Sequence, residues 1–145
     1  MKYRNKSGVI IHLTLCGEKF NPNNVTEKLG IAPNYIREKN DKLENGNIFG
    51  QTEWGFETEW IENQDLDEVL NIFFSSIREK ASQLKRIALE CNANWSLLIG
   101  VKIWNEQKPI LYLSIKNVQF LSEIGADIGF DYYCYGFEDI EEHKH

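Results

Sequence analysis

Residues 65–91, DLDEVLNIFFSSIREKASQLKRIALEC from Asp65 to Cys91, decide how the rest of the chain must be arranged. Leu66, Val69, Leu70, Phe73, Ile77, Ala81, Leu84, Ile87, Ala88 and Cys91 recur at steps of three and four, so at about 100° per residue they fall on one apolar stripe. The spacing predicts one long amphipathic helix. Asp65 is its expected cap, with Glu68 three residues on as in a capping box; Asp67 and Glu68 suit its positive end, Lys85 and Arg86 its negative end. Asn92 is the expected stop. At about 1.5 Å per residue the helix is roughly 40 Å long, enough to cross several strands. Its stripe therefore requires a sheet.

The flanking sequence supplies strands. From Gly8 to Cys16, Val9, Ile11, Leu13 and Leu15 alternate with Ile10, His12, Thr14 and Cys16. Phe20-Asn21-Pro22 leads to a short helix over Asn23–Leu29, capped by Asn23 or Asn24 and stopped by Gly30 and Pro33. Asn34–Gly50 is polar and aperiodic, a long surface loop of functional or mobile character. Gln51–Thr58 alternates with Trp54 and Phe56 on one face and Glu53, Gly55 and Glu57 on the other, and continues toward Trp60 and Ile61. After the long helix, Trp95, Leu97, Ile99, Val101 and Ile103 alternate cleanly, and the turn Asn105–Pro109 predicts a hairpin with Ile110–Ile115. Val118, Leu121 and Ile124 mark a short helix ended by Gly125. Asp127–Tyr135 is the last strand, with Ile128, Phe130, Tyr132 and Cys134 on one face.

The predicted order is β-α-β-α-β-β-α-β. It implies a single α+β domain over residues 1–137, a mostly antiparallel sheet of about five strands with the long helix packed on one face, and an acidic tail at 138–145. A weak internal echo pairs strand, short helix, Leu29-Gly30, strand with strand, short helix, Ile124-Gly125, strand.

Bulk properties narrow the partners. Twenty-two acidic against 16 basic residues give a net charge of -6, which disfavours nucleic acid and favours a basic protein. Cys16, Cys91 and Cys134 are odd in number and far apart, so they are expected to be reduced, buried thiols in a cytoplasm. No apolar run suits a signal peptide or a membrane span.

Two further stretches, Phe20-Asn21-Pro22 through Thr26-Glu27-Lys28-Leu29-Gly30-Ile31-Ala32-Pro33 and Ile124-Gly125-Ala126-Asp127-Ile128-Gly129-Phe130-Asp131-Tyr132, stand on either side of Trp54 and Phe56. In that order and spacing, over roughly Val9 to Tyr133, the chain resembles the bacterial domain of unknown function 4279 family. It departs from similar sequences in carrying Asn40-Asp41 where a Gly-Asp pair often follows Pro33. The resemblance implies a soluble bacterial α+β domain and supplies no catalytic residues.

Chemistry is sparse. His12 lies mid-strand, and His143 and His145 sit in the tail with Glu141 and Glu142, where only adventitious metal binding is expected. No P-loop, GxGxxG, HExxH or EF-hand pattern occurs, and no cofactor is expected. Glu53, Glu57, Glu59, Glu62, Asp65, Asp67 and Glu68 form an acidic block without Lys or Arg between them. If the strands carrying Glu53 and Glu57 neighbour the strand carrying Asp127 and Asp131, these carboxylates form a metal or acid/base centre. The bland alternative is the solvated face of a sheet whose other side carries Trp54, Phe56, Phe130 and Tyr132. The expectation taken forward lies between them. It is a non-enzymatic, monomeric or weakly dimeric protein-binding domain whose surface of Glu53, Glu57, Glu59, Trp60, Asp131, Tyr133 and Tyr135, with Trp104 as a further anchor, takes a basic partner such as a toxin domain, as an immunity protein does. Self-association through a sheet edge is the other reading.

Overall fold

Along the chain the elements are β1 (Gly8–Gly17), α1 (Pro22–Leu29), β2 (Tyr35–Arg37), β3 (Thr52–Glu57), α2 (Leu66–Phe74), a 3₁₀ turn (Arg78–Lys80), α3 (Ala81–Glu90), β4 (Ala93–Trp104), α4 (Ile115–Ile124) and β5 (Asp127–Tyr135). The computed structural model describes residues 6–40, 42, 50–62 and 65–136; the tail and most of the polar run at 41–49 lie outside them. One sheet in the order β2-β3-β1-β4-β5 carries every strand. All pairs are antiparallel except β4 with β5, which are parallel.

Over β3, β1 and β4 one face of this sheet is sealed by the helices. Val9, Ile11, Leu13 and Leu15 of β1 and Trp95, Leu97, Ile99 and Val101 of β4 are fully buried with Leu66, Leu70, Phe74 and Leu84 from the helices. Each such side chain contributes roughly 1.5–3 kcal/mol by leaving water. Two indoles are buried with their N–H groups satisfied: Trp54 donates to Thr26 Oγ1 at 2.9 Å and Trp95 to the Leu84 carbonyl at 2.8 Å.

The expected single helix over 65–91 is broken. Asp65 caps it as anticipated, its carboxylate accepting from the Asp67 and Glu68 N–H groups at 3.1 and 3.3 Å. At Ser75, however, both the backbone N–H and the hydroxyl donate to the Ile72 carbonyl, at 3.2 and 2.7 Å, and Ile77 and Lys80 repeat the three-residue bond. A serine hydroxyl competing for a helix carbonyl tightens the turn. The stripe nevertheless continues through Phe74, Ile77, Ala81 and Leu84, all buried.

The C-terminal half departs further from expectation. Ile110–Ile115 forms no hairpin strand. The Ile110 carbonyl instead accepts from Leu66 N–H at 3.0 Å, and Ser114 caps α4 while donating its N–H to Asp67 at 2.8 Å. This segment ties the start of α4 to the start of α2, and α4 then crosses over so that β5 enters parallel to β4. The anticipated internal echo is therefore not mirrored in the pairing, since β1 and β3 are antiparallel. A strand of three residues, β2, lies inside the run expected to be loop, and α1 starts at Pro22 with Asn21 as its cap, two residues or more before the expected cap at Asn23 or Asn24. Gly30 and Gly125 end their helices in left-handed backbone, φ 68° and 74°.

A polar hub binds the helices together. Asn117, fully buried, donates to Asp67 at 2.7 Å and Asn71 at 2.9 Å and accepts from Arg78 at 2.6 Å. The Arg78 guanidinium also lies over the rings of Phe74 and Phe120, 5.8 and 5.5 Å from their centroids.

Phe130 and Tyr132 are not core. Ile128, Phe130 and Tyr132 do share the helix side of the sheet with Leu97, Ile99 and Val101, but they are 42%, 37% and 58% exposed. The principal packing of α4 is against α3 and α2, which leaves β5 uncovered.

Candidate protein-binding face

The face turned away from the helices carries Glu53, Gly55 and Glu57 on β3, His12, Thr14 and Cys16 on β1, Gly100 and Lys102 on β4, and Asp127, Asp131, Tyr133 and Tyr135 on β5. Trp60 joins them through a bulge. Between His12↔Glu57 and Val9↔Ile61 the β1 side advances three residues and the other side four, so one residue is extra and every later side chain changes face. Ile61 is thereby turned to the core and Trp60 to the open face. The bonds that fix this are Thr58 N–H to Ile11 O at 2.9 Å, Ile61 N–H to Val9 O at 2.7 Å and Val9 N–H to Ile61 O at 2.9 Å.

Close approach under the bulge needs glycine. At Gly8 a Cβ would stand 2.4 Å from the Ile61 carbonyl, and at Gly100 it would meet Ile10 Cγ2 at 2.5 Å and the Trp60 ring at 3.4 Å. Trp60 thus lies over Gly100, edge to face with Tyr133 at 5.7 Å, and with the Lys102 Nζ 5.4 Å from its ring centroid. Lys102, only 5% exposed, is covered by this aromatic pair.

The carboxylates do not converge. β3 and β5 are separated by β1 and β4, so at about 4.8 Å per strand Glu53 and Glu57 stand roughly 14 Å from Asp127 and Asp131. On the β3 side the protein's own cations answer part of the charge: Glu53 faces Arg37 at 3.6 Å and Glu62 faces Lys6 at 3.7 Å, while Glu57 lies 3.2 Å from the His12 imidazole. Asp127 and Asp131 form no ion pair among the described residues. The anionic block expected over 53–68 is therefore answered in part by the protein's own cations, unlike Asp127 and Asp131 on β5. Glu59 is exposed at the bulge, and Trp104, at the end of β4, is half-buried.

Two ionisable groups on the central open face are made less acidic by their surroundings. Burial, reinforced by Glu53, pushes the Cys16 thiol up to about 11. Burial likewise pushes Tyr35 up to about 12, against the opposing effect of its hydrogen bond to Thr14 Oγ1. Cys16 and Cys91 are half-buried, whereas Cys134, expected to be buried, is exposed. Among the described residues no three His, Cys, Asp or Glu side chains are grouped to hold a metal, and no helix is long and apolar enough to cross a membrane. A cavity of about 220 Å³ opens on the helix side between Asn21, Lys28, Glu90 and Cys91, where Lys28 and Glu90 are ion-paired at 2.6 Å.

The seven predicted interface residues thus divide. Trp60, Asp131, Tyr133 and Tyr135 are gathered along one side of the open face, Glu53 and Glu57 are set apart with intramolecular partners, and Glu59 adjoins Trp60. Sequence reasoning missed Gly100 and Lys102, which seat Trp60, and the parity change that places it. The alternation itself gives no signal for the latter, since Trp54, Phe56, Thr58 and Trp60 run on in step and Ile61 is apolar as well.

These features define an α+β domain with a one-sided helical layer and an exposed, aromatic sheet face. The chain belongs to the family described as Domain of unknown function (DUF4279), which matches residues 5–135. No curated protein and no solved structure matches it.

Proposed function

We propose that this is a non-enzymatic protein-binding domain whose open face takes a basic protein, and that it serves a bacterial cell as a cytoplasmic immunity protein neutralising a cognate, nuclease-type toxin. The observation that carries the reading is the group on and beside β5: Tyr133 and Tyr135 exposed, Trp60 edge to face with Tyr133, and Asp127 and Asp131 uncompensated among the described residues. Aromatic anchors surrounded by acidic groups suit recognition of a cationic surface, and a nuclease must be basic to hold its substrate. An acidic inhibitor gains its association rate from steering by the net charge of -6. The test is binding of basic toxin domains encoded beside the gene, measured by calorimetry at rising salt, with toxin sensitivity of the host after deletion. Micromolar or tighter binding that weakens with salt supports the reading. Unchanged sensitivity and no binding would refute it.

A further inference from the structure

The two flanks of the sheet are finished differently. At one, β2 has three residues and is followed by Glu38 and Lys39, the short and charged edge that discourages strand addition. At the other, β5 runs nine residues without Pro, Lys or Arg and is exposed almost throughout. One bond fixes the direction of its backbone: Asn105 N–H donates to the Tyr135 carbonyl at 3.2 Å. Tyr135, and every second residue back to Asp127, therefore turns its N–H and C=O toward β4, whereas Ile128, Phe130, Tyr132 and Cys134 turn theirs to the outer flank. The same alternation sorts the side chains. Asp127, Asp131, Tyr133 and Tyr135 lie on the open face; Ile128, Phe130 and Tyr132 lie exposed on the helix side.

We propose that β5 is the docking edge for an extended basic segment of a partner protein. That segment adds as a sixth strand, its Lys or Arg side chains toward Asp127 and Asp131 and its apolar side chains toward Ile128, Phe130 and Tyr132. This rests on the preceding functional reading and specifies how the partner is held. Charge selects the occupant. Antiparallel pairing of two copies about the strand's midpoint would set Asp131 opposite its own counterpart, and each copy carries a net charge of -6. A cationic strand meets the opposite situation at both aspartates.

The probe is an end-blocked, fluorescein-labelled nonapeptide alternating Lys and Val, titrated into the full chain with anisotropy and amide ¹⁵N shifts as readouts. Saturable, salt-sensitive binding is expected, with shifts centred on Ile128, Phe130, Tyr132 and Cys134, and none from a peptide carrying Glu in place of Lys. Methylating alternate peptide nitrogens along one edge should weaken binding about tenfold or more through lost hydrogen bonds. Tyr132→Pro, which removes an outward N–H and no bond to β4, should do the same while leaving circular dichroism unchanged. Asp127→Asn with Asp131→Asn should weaken it roughly threefold. Equal binding of methylated and unmethylated peptides, shifts centred on Glu53 and Glu57, or a dimer abolished by Tyr132→Pro would each overturn the proposal. A basic partner protein that binds wild type and Tyr132→Pro alike would overturn strand addition and leave the functional reading standing. Failure of every basic protein to bind would end both.

Discussion

Trp60 and Tyr133 meet edge to face with ring centroids 5.7 Å apart and planes at 88°, one delivered by a bulge beside β1 and the other by the outermost strand. The pair ties β5, which no helix covers, to the interior strands. Trp60→Ala should therefore destabilise the domain by about 1–2 kcal/mol, less than a fully buried indole because Trp60 is half-buried. Tyr133→Phe should be close to neutral, since the ring contact is kept. Urea midpoints for the two variants decide the matter; an unshifted midpoint for Trp60→Ala would remove the tie.

Two glycines on the open face should behave oppositely. A Cβ at Gly100 would meet Ile10 Cγ2 at 2.5 Å, so Gly100→Ala should cost about 1–3 kcal/mol by overpacking. At Gly129 the nearest contact is Leu98 Cδ1 at 3.5 Å, and Gly129→Ala should stay within about 0.5 kcal/mol of wild type. Thermal unfolding of both variants makes the comparison.

The hub at Asn117 should resist apolar replacement. Asn117→Leu leaves Asp67, Asn71 and Arg78 without the partner they share, and a cost of about 2–3 kcal/mol is expected from the polar groups left unsatisfied. A double-mutant cycle with Asp67→Asn should show coupling, because both residues belong to one network. Additive losses would mean that the hub is incidental.

Acid should weaken the fold through Asp67. Burial alone would raise its carboxyl above the ordinary 3.8, but hydrogen bonds from Ser114 and Asn117 and the nearby Arg78 charge outweigh it and hold the group lower. The unfolded chain then binds the proton more readily, so this contribution is present in full above the unfolded value of about 3.9 and is lost as pH falls through the folded one. Urea midpoints from neutral pH into this acid range should fall for wild type and fall less for Asp67→Asn.

Thiol reactivity should separate the cysteines. With Cys16 raised to about 11 by burial and Glu53, a disulfide reagent at mildly alkaline pH should modify exposed Cys134 first. Cys134→Ser should abolish the fast phase, and Cys16→Ser should leave it intact.

The sequence disclosed most of this fold because its signals were local. The alternations of β1, β3, β4 and β5, the Asp65 cap and the glycine stops at residues 30 and 125 each depend on neighbours a few positions away. What escaped was nonlocal or sub-residue in scale. The Ile110–Leu113 run has strand composition, but the Leu66 N–H claims the Ile110 carbonyl and Asp67 claims Ser114, a competition invisible without the fold. The stripe over 65–91 survives its broken helix because a 3₁₀ turn also repeats every three residues, so periodicity alone did not reveal Ser75. At the candidate face, residue types were legible but strand order was not: β1 and β4 stand between the two carboxylate pairs, and α4 turns away from β5, so chemistry expected at a centre became chemistry at a rim.

The unequal flanks also set a stoichiometry. Growth of a sheet from molecule to molecule needs a receptive margin on each side, one to accept and one to be accepted. Among the described residues the other flank is β2, too short to serve, so a chain that receives a guest at β5 offers no second margin there to pass on. Complexes built this way close at one guest per host, and the same arrangement that lays a nine-residue strand open along one flank keeps it from seeding a fibre.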